Sequence, residues 1–164
     1  VYSEGFAIYG EGSGDNINFG VIDRDGNIVV KAQYAYCGAF SQGLSHIKVS
    51  GLDKADWGFI DTEGNLVIEA NYAYAYEFSE DLAAVKVGDV KDGKWGFIDK
   101  KGEIVIEPQF IHALPFNEGV AAVMTGDEQN GKWGYINKSG EFVIEPQFVS
   151  AGSFAEGIAA VAVD

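Results

Sequence analysis

Lys94-Trp95-Gly96-Phe97-Ile98-Asp99-Lys100-Lys101-Gly102-Glu103-Ile104-Val105-Ile106-Glu107-Pro108-Gln109-Phe110 is the phrase that this chain keeps restating. It returns at 132–148, and in weaker form at 56–72 and 18–34. Its anchors, Phe19, Trp57, Trp95 and Trp133, stand 38 residues apart with no insertion or deletion between them. A fixed period of this length marks a repeat architecture, in which no unit buries its apolar face alone and stacked neighbours supply the core.

Each unit holds three short apolar runs with the length and the β-branched and aromatic content of strands. In the third unit they are 81–87, 94–99 and 103–107. Helix is disfavoured, because glycine recurs every few residues and no run of about 10–12 residues carries a 3.6 period. The second and third runs are joined by Asp23-Arg24-Asp25-Gly26, Asp61-Thr62-Glu63-Gly64, Asp99-Lys100-Lys101-Gly102 and Asn137-Lys138-Ser139-Gly140. An Asx residue first and glycine fourth predict a type I turn followed by a left-handed bulge residue, hence a hairpin. Polar loops such as 88–93 and 126–131 suit a second antiparallel connection, so each unit reads as a three-stranded meander.

From one meander to the next the chain crosses about a dozen residues, with recurrent aromatics at Tyr34 and Phe40, Tyr72 and Phe78, Phe110 and Phe116, and Phe148 and Phe154. Their regularity predicts that the crossover packs between neighbouring units. Alternation puts Ala83, Val85 and Val87 on one side of the first strand, expected to be the better buried, and Ala84 and Lys86 on the other. The repeated glycine after each anchor is expected to admit a neighbouring backbone or ring. The fold class is therefore all-β: a single array over 1–164, with a partial repeat at 1–12 and units at 13–50, 51–88, 89–126 and 127–164. An open curved stack is preferred to a small closed propeller-like ring, because five copies of the first strand do not balance four of the others. Unpaired terminal strands offer a route to self-association.

A composition 47% hydrophobic and 13% aromatic is that of a folding chain. Eleven Lys and Arg against 25 Asp and Glu leave a net charge of −14, which repels nucleic-acid phosphates and anionic lipid. Nucleic acid is excluded as an expected partner. No run approaches the ~18 apolar residues of a membrane helix. The chain opens on Val1 without a basic, apolar leader, as expected of a processed or excised segment. Cys37 is the single cysteine, so no internal disulfide and no cysteine metal cluster can form. The homologous positions hold Ala75, Ala113 and Ala151, so Cys37 reads as a small buried hydrophobe.

The recurring polar residues have structural explanations. Asp23, Asp61 and Asp99 are turn caps, and Asn137 in the same slot suits a cap and spoils a shared general base. His46 takes the slot of Ala84, Ala122 and Ala160, and His112 that of Tyr36, Tyr74 and Ser150; both read as variable surface slots, outside any metal or triad spacing. The segment Gly10–Asn16 lacks the lysine and helix of a phosphate loop and the spacing of a calcium loop, and reads as a flexible loop. The tryptophan series suits a core better than an open ladder for sugars. No catalytic, cofactor-binding or metal-ligating residue is assigned, and no cofactor is expected. The candidate ligand surface is the variable set Tyr36, His46, Tyr74, Tyr76 and His112.

Together, the series at 94–99, 102–110 and 116–123 resembles the bacterial WG-containing repeat family over nearly the whole chain. The resemblance implies an all-β repeat array without a catalytic signature, of a kind common in bacterial envelope and exported proteins. The first unit departs from that pattern, with Asn18-Phe19-Gly20 for Lys-Trp-Gly and Ala32 for Pro. The function expected is a non-enzymatic scaffold for protein–protein or cell-surface interaction, with a protein or a surface glycan as partner. A carbohydrate-binding module built on the repeated aromatics is the alternative.

Overall fold

The repeated phrase forms the second and third strands of a sheet that recurs along the chain. A computed structural model describes residues 2–14, 16–49 and 55–163, and among them there is no helix. The first sheet contains β1 (Ala7–Ser13), β2 (Asn16–Ile22) and β3 (Ile28–Tyr34). The second contains β4 (Tyr36–Cys37), β5 (Leu44–Lys48), β6 (Trp57–Asp61) and β7 (Leu66–Tyr72). The third contains β8 (Tyr74–Ala75), β9 (Ala83–Val87), β10 (Lys94–Ile98) and β11 (Ile104–Phe110), and the fourth β12 (His112–Ala113), β13 (Val120–Thr125), β14 (Lys132–Asn137) and β15 (Phe142–Phe148). A last pair, β16 (Ser150–Ala151) and β17 (Val161–Ala162), follows. Neighbours in each sheet follow chain order, and none of the sheets closes into a barrel. The unit limits placed at Val1, Ser50, Gly51 and Asp164 fall outside the described residues.

The second, third and fourth meanders each gain a short fourth strand from the preceding crossover, while the first stays three-stranded. Tyr72 ends β7, the chain bends at Ala73, and β8 then pairs with β9 of the next sheet through Tyr74↔Lys86 and Ala75↔Val85. The same bend occurs at Ala35, Ile111 and Val149. One extended segment therefore serves two sheets, and this fixes their relative placement. The glycine-rich segment also departs from its expectation as a loop. Gly10 to Ser13 continue β1 and pair with Asn16 to Phe19, while Asp15 lies outside the described residues.

The Trp-Gly glycine is required by a bulge. Trp95 pairs with Phe110 but Phe97 pairs with Ile106, so β11 carries two extra residues opposite Gly96. A Cβ on Gly96 would sit 2.5 Å from the Ile106 carbonyl oxygen, and Gly58 and Gly134 face their own third strands in the same way. The bulge also accommodates Pro108, which cannot donate to a sheet ladder.

Sheets stack face to face, so the core is a series of layers. Leu44, Trp57, Phe59 and Ile68 of the second sheet pack on Ala75, Ala83, Val85 and Ile98 of the third, with Phe78 from the crossover. Leu82, Ala84, Trp95, Phe97 and Ile106 of the third sheet pack in turn on Ala113, Ala121, Val123 and Ile136 of the fourth. The expectation of one better-buried side in the first strand is thereby corrected. Ala83, Ala84 and Val85 are all buried, because a layer lies on each face.

Turn chemistry completes each unit. Gly26, Gly64, Gly102 and Gly140 have φ of 83°, 85°, 81° and 82°, as the turn-plus-bulge hairpin predicts. The Asp23 carboxylate accepts the Asp25 and Asn27 amides at 2.9 and 2.8 Å, and Asp61, Asp99 and Asn137 cap their own turns alike. A second, tighter turn opens each unit. In Ser41-Gln42-Gly43-Leu44 both central residues have positive φ, 55° and 84°, and the flanking residues exchange backbone bonds.

Contacts between these tight turns run up the stack. The hydroxyls of Ser3, Ser41 and Ser79 donate to the carbonyls of Phe40, Phe78 and Phe116, one unit on, at 2.6, 2.7 and 2.6 Å. The Glu4 carboxylate accepts the amides of Gln42 and Gly43 at 2.7 and 2.8 Å; Glu118 accepts that of Gly157 at 2.9 Å. The recurring Glu or Gln is thus a clasp on the next layer.

Candidate functional site

The bend between sheets places the variable aromatic residues. Tyr36 and Tyr74 are the first residues of short strands, each opposite a lysine that in turn pairs with a tryptophan: Tyr36↔Lys48↔Trp57 and Tyr74↔Lys86↔Trp95. Residues facing each other across an antiparallel sheet share a side, so every tyrosine projects beside its tryptophan. The layer offset then brings Tyr74 against the tryptophan of the sheet below as well. Its ring centroid lies 4.5 Å from that of Trp57 and 5.7 Å from that of Trp95.

The result is a continuous aromatic cluster. His46 stacks on Trp57 at 5.8 Å with 14° between planes, and Tyr76 stacks on Trp95 at 5.3 Å with 27° between planes. Tyr36 touches both His46 and Trp57, at 5.4 and 5.2 Å. Trp57 and Trp95 are buried beneath these rings, 7% and 6% exposed, whereas Tyr36 and Tyr74 are 42% and 39% exposed. Trp57 and Trp95 are core, and the tyrosines form the surface above them; Trp133, expected to be buried with them, is only half-buried, which corrects that expectation for the fourth unit.

A cleft of about 490 Å³ opens among Ser3, Tyr36, Ser41, His46, Tyr74, Tyr76 and Glu77. A second, of about 360 Å³, continues it past Ser41, Tyr76 and Glu77 to Ser79, Pro115 and Asn117. Both lie along the edge where the tight turns stack. Four of the five residues expected at a ligand surface therefore meet in one groove. His112 does not line it; its ring stacks on Trp133 at 6.1 Å.

His46 is not the surface residue its variable slot suggested. It is 8% exposed, packed against the Cα of Gly38, and its Nδ1 has no hydrogen-bond partner. Burial pushes its imidazole below the ordinary histidine value, partly offset by the Glu77 carboxylate. The sequence shows the reason once the slots are aligned. Unit by unit, positions 38, 76, 114 and 152 read Gly, Tyr, Leu and Gly, while 46, 84, 122 and 160 read His, Ala, Ala and Ala. One ring stacks near-parallel on each of Trp57 and Trp95, supplied from the strand in one unit and from the crossover in the next.

Glu77 is the functional candidate that the sequence alone did not single out. Its slot holds Ala39, Pro115 and Ser153 elsewhere, and that non-recurrence is the signal that could have found it. Burial first, and then the neighbouring Tyr74 and Glu77, push the Tyr36 phenol above its ordinary value; Tyr76 is raised by the same causes. The Trp57 ring already carries an internal cation. Lys48 Nζ lies 5.6 Å from its centroid and 2.7 Å from an Asp56 carboxylate oxygen.

Cys37 is buried as its alanine counterparts predict, 6% exposed, with Sγ 3.6 Å from the Ser45 hydroxyl. Burial pushes its thiol up and keeps it protonated. Among the described residues no group of three or more His, Cys, Asp or Glu stands where it could hold a metal ion. The acids of the hairpin turns are engaged with backbone amides, which leaves Glu77 as the acid that faces the cleft.

A family model described as "WG containing repeat" matches residues 19–52, 57–90, 95–128 and 133–164. No curated protein matches the chain.

Proposed function

The chain belongs to the WG containing repeat family, and from that premise we propose that it works as a non-enzymatic scaffold that binds a macromolecular partner along its aromatic groove. The observation that carries this is the meeting of Tyr36, His46, Tyr74 and Tyr76 at one cleft, because they come from three repeat slots whose residue changes along the array: 36 and 74 are followed by His112 and Ser150, 46 by alanine, and 76 stands where other units have glycine or leucine. Repeat proteins diversify their ligand surfaces at positions that the stack does not need. Here the recurring polar side chains are spent on turns and clasps, and the exceptions converge. Half-exposed tyrosines supply rigid contact area with little side-chain freedom to lose on binding. Burial of Trp57 and Trp95 favours this over a carbohydrate module, which needs open rings for sugars to stack on.

The test is a double substitution, Tyr36→Ser with Tyr74→Ser, in the whole chain. Partners captured by the parent should be lost while the melting temperature stays within a few degrees, and the purified protein should show no hydrolase, transferase or redox turnover. Undiminished capture would reject the groove. Glycan binding that disappears in the same variant would replace the protein scaffold by the carbohydrate module.

A further inference from the structure

Resting on that groove as the binding surface, we propose that it recognises a cationic side chain, the lysine or arginine of an extended segment in a partner protein, held over the Tyr36, Tyr74 and Tyr76 rings with Glu77 as counter-ion.

Three independent observations carry the ligand class. First, the ring arrangement suits a cation: three phenol rings and His46 border one cleft, and aromatic faces attract ammonium and guanidinium groups through their quadrupoles. The same cluster already holds such a contact internally, between Lys48 Nζ and Trp57. Second, the lining is electrostatically one-sided. Glu77 is its carboxylate, and no lysine or arginine belongs to it. Glu77 acts on Tyr36, Tyr76 and His46 alike, so its charge is felt across the cleft rather than at one rim. His46, buried and held towards its neutral form, adds no opposing charge. Third, the whole chain carries a net charge of −14, which draws basic partners from a distance and repels acidic ones.

Shape selects a peptide over a small cation. The cleft continues through Ser41, Tyr76 and Glu77 into the second cleft, giving a channel along the stacking direction instead of a closed box. A channel of this form seats an extended chain with its side chain placed at Glu77.

The experiment is a calorimetric titration at ionic strength near 0.15 M, where exposed charges more than about 8 Å apart are largely screened. The probes are a short peptide alternating serine and lysine, the same peptide with every lysine acetylated, and free choline. The lysine peptide should bind about tenfold more tightly than its acetylated form, the scale of a partly desolvated cation–π contact with an ion pair. Glu77→Gln and Tyr74→Leu should each lose most of that difference, Tyr74→Phe should retain it, and Glu145→Gln, removing the same charge from an edge strand remote from the cleft, should stay within about twofold. Equal losses in Glu77→Gln and Glu145→Gln would mean diffuse charge attraction and overturn the inference. Equal binding of both peptides, still abolished by Tyr74→Leu, would overturn the cation while leaving the groove as binding surface. Choline binding that depends on Tyr74, with neither peptide bound, would overturn the peptide and with it the scaffold.

Discussion

Asp81 sits where four of the five tight turns have glycine, at a φ of 73° that L-residues adopt at a cost. Its exposed carboxylate pairs with Lys100 at 3.0 Å, and an exposed pair of this kind returns little in salt. Asp81→Gly should therefore raise the melting temperature, most clearly at high ionic strength, where the lost ion pair counts least. Gly102 argues the opposite direction. At φ 81°, with the Ile68 side chain 3.2 Å from where a Cβ would stand, Gly102→Val should cost about 1–3 kcal/mol in denaturant titration. His46 makes stability depend on pH. Its folded pKa lies below the unfolded value near 6.5, so below 6.5 the unfolded chain binds the extra proton. Its contribution is full above 6.5 and is lost as pH falls through the folded pKa, with a slope of at most about 1.4 kcal/mol per pH unit. Denaturant titrations across mildly acidic pH should show that slope in the parent.

The layer, rather than the strand, is the element that carries the energetics. His46 and Gly38 fill one volume in the second sheet, and Ala84 and Tyr76 fill the corresponding volume in the third. His46→Ala alone should open a cavity and lose about 2–4 kcal/mol, the scale of large-to-small core changes. Gly38→Tyr alone should also destabilise, because its ring would enter the space of the His46 ring. The double variant transplants the arrangement of the third sheet, and its loss should be far smaller than the sum of the two. The acid slope below pH 6.5 should vanish with it. Strict additivity in this cycle would show that the two positions do not share a volume. The third strands are edges, with Val67, Val105 and Val143 exposed, and Glu69, Glu107 and Glu145 beside them place a charge on each edge that discourages pairing with other chains.

Across the whole molecule, contacts run from each layer to the next, so stability should behave as a sum of layers and interfaces. The fourth sheet leans on the last strand pair. Tyr135 donates its hydroxyl proton to the Gly152 carbonyl at 2.8 Å and packs its ring on Phe154 at 4.9 Å. Deleting residues 149–164 should therefore loosen β14 first. Amide hydrogen exchange should accelerate at 132–137 while 57–61, two layers away, keeps the protection of the parent. Uniform loss of protection would show a single cooperative unit in place of a chain of layers.

Much of this architecture is decided by short-range chemistry, which a single sequence displays. The 38-residue period, the hairpins, the left-handed glycines at 26, 64, 102 and 140, the burial of Cys37 and the core placement of Trp57 and Trp95 all follow from local turn preferences and from side-chain size at a repeated slot. The aromatic candidates were legible as variable slots: Tyr36 and Tyr74 share one that later holds His112 and Ser150, and Tyr76 stands where other units have glycine or leucine. What only the tertiary structure decided depends on which face meets which layer: the fourth strand made by the bend, the burial of both faces of β9, the clasp of Glu4 on the next turn, the burial of His46 against Gly38, and the approach of Glu77 to three rings. Residues a period apart are brought together by the stacking offset. That offset is set by the packing of whole sheets, which a periodic sequence implies must exist but does not measure.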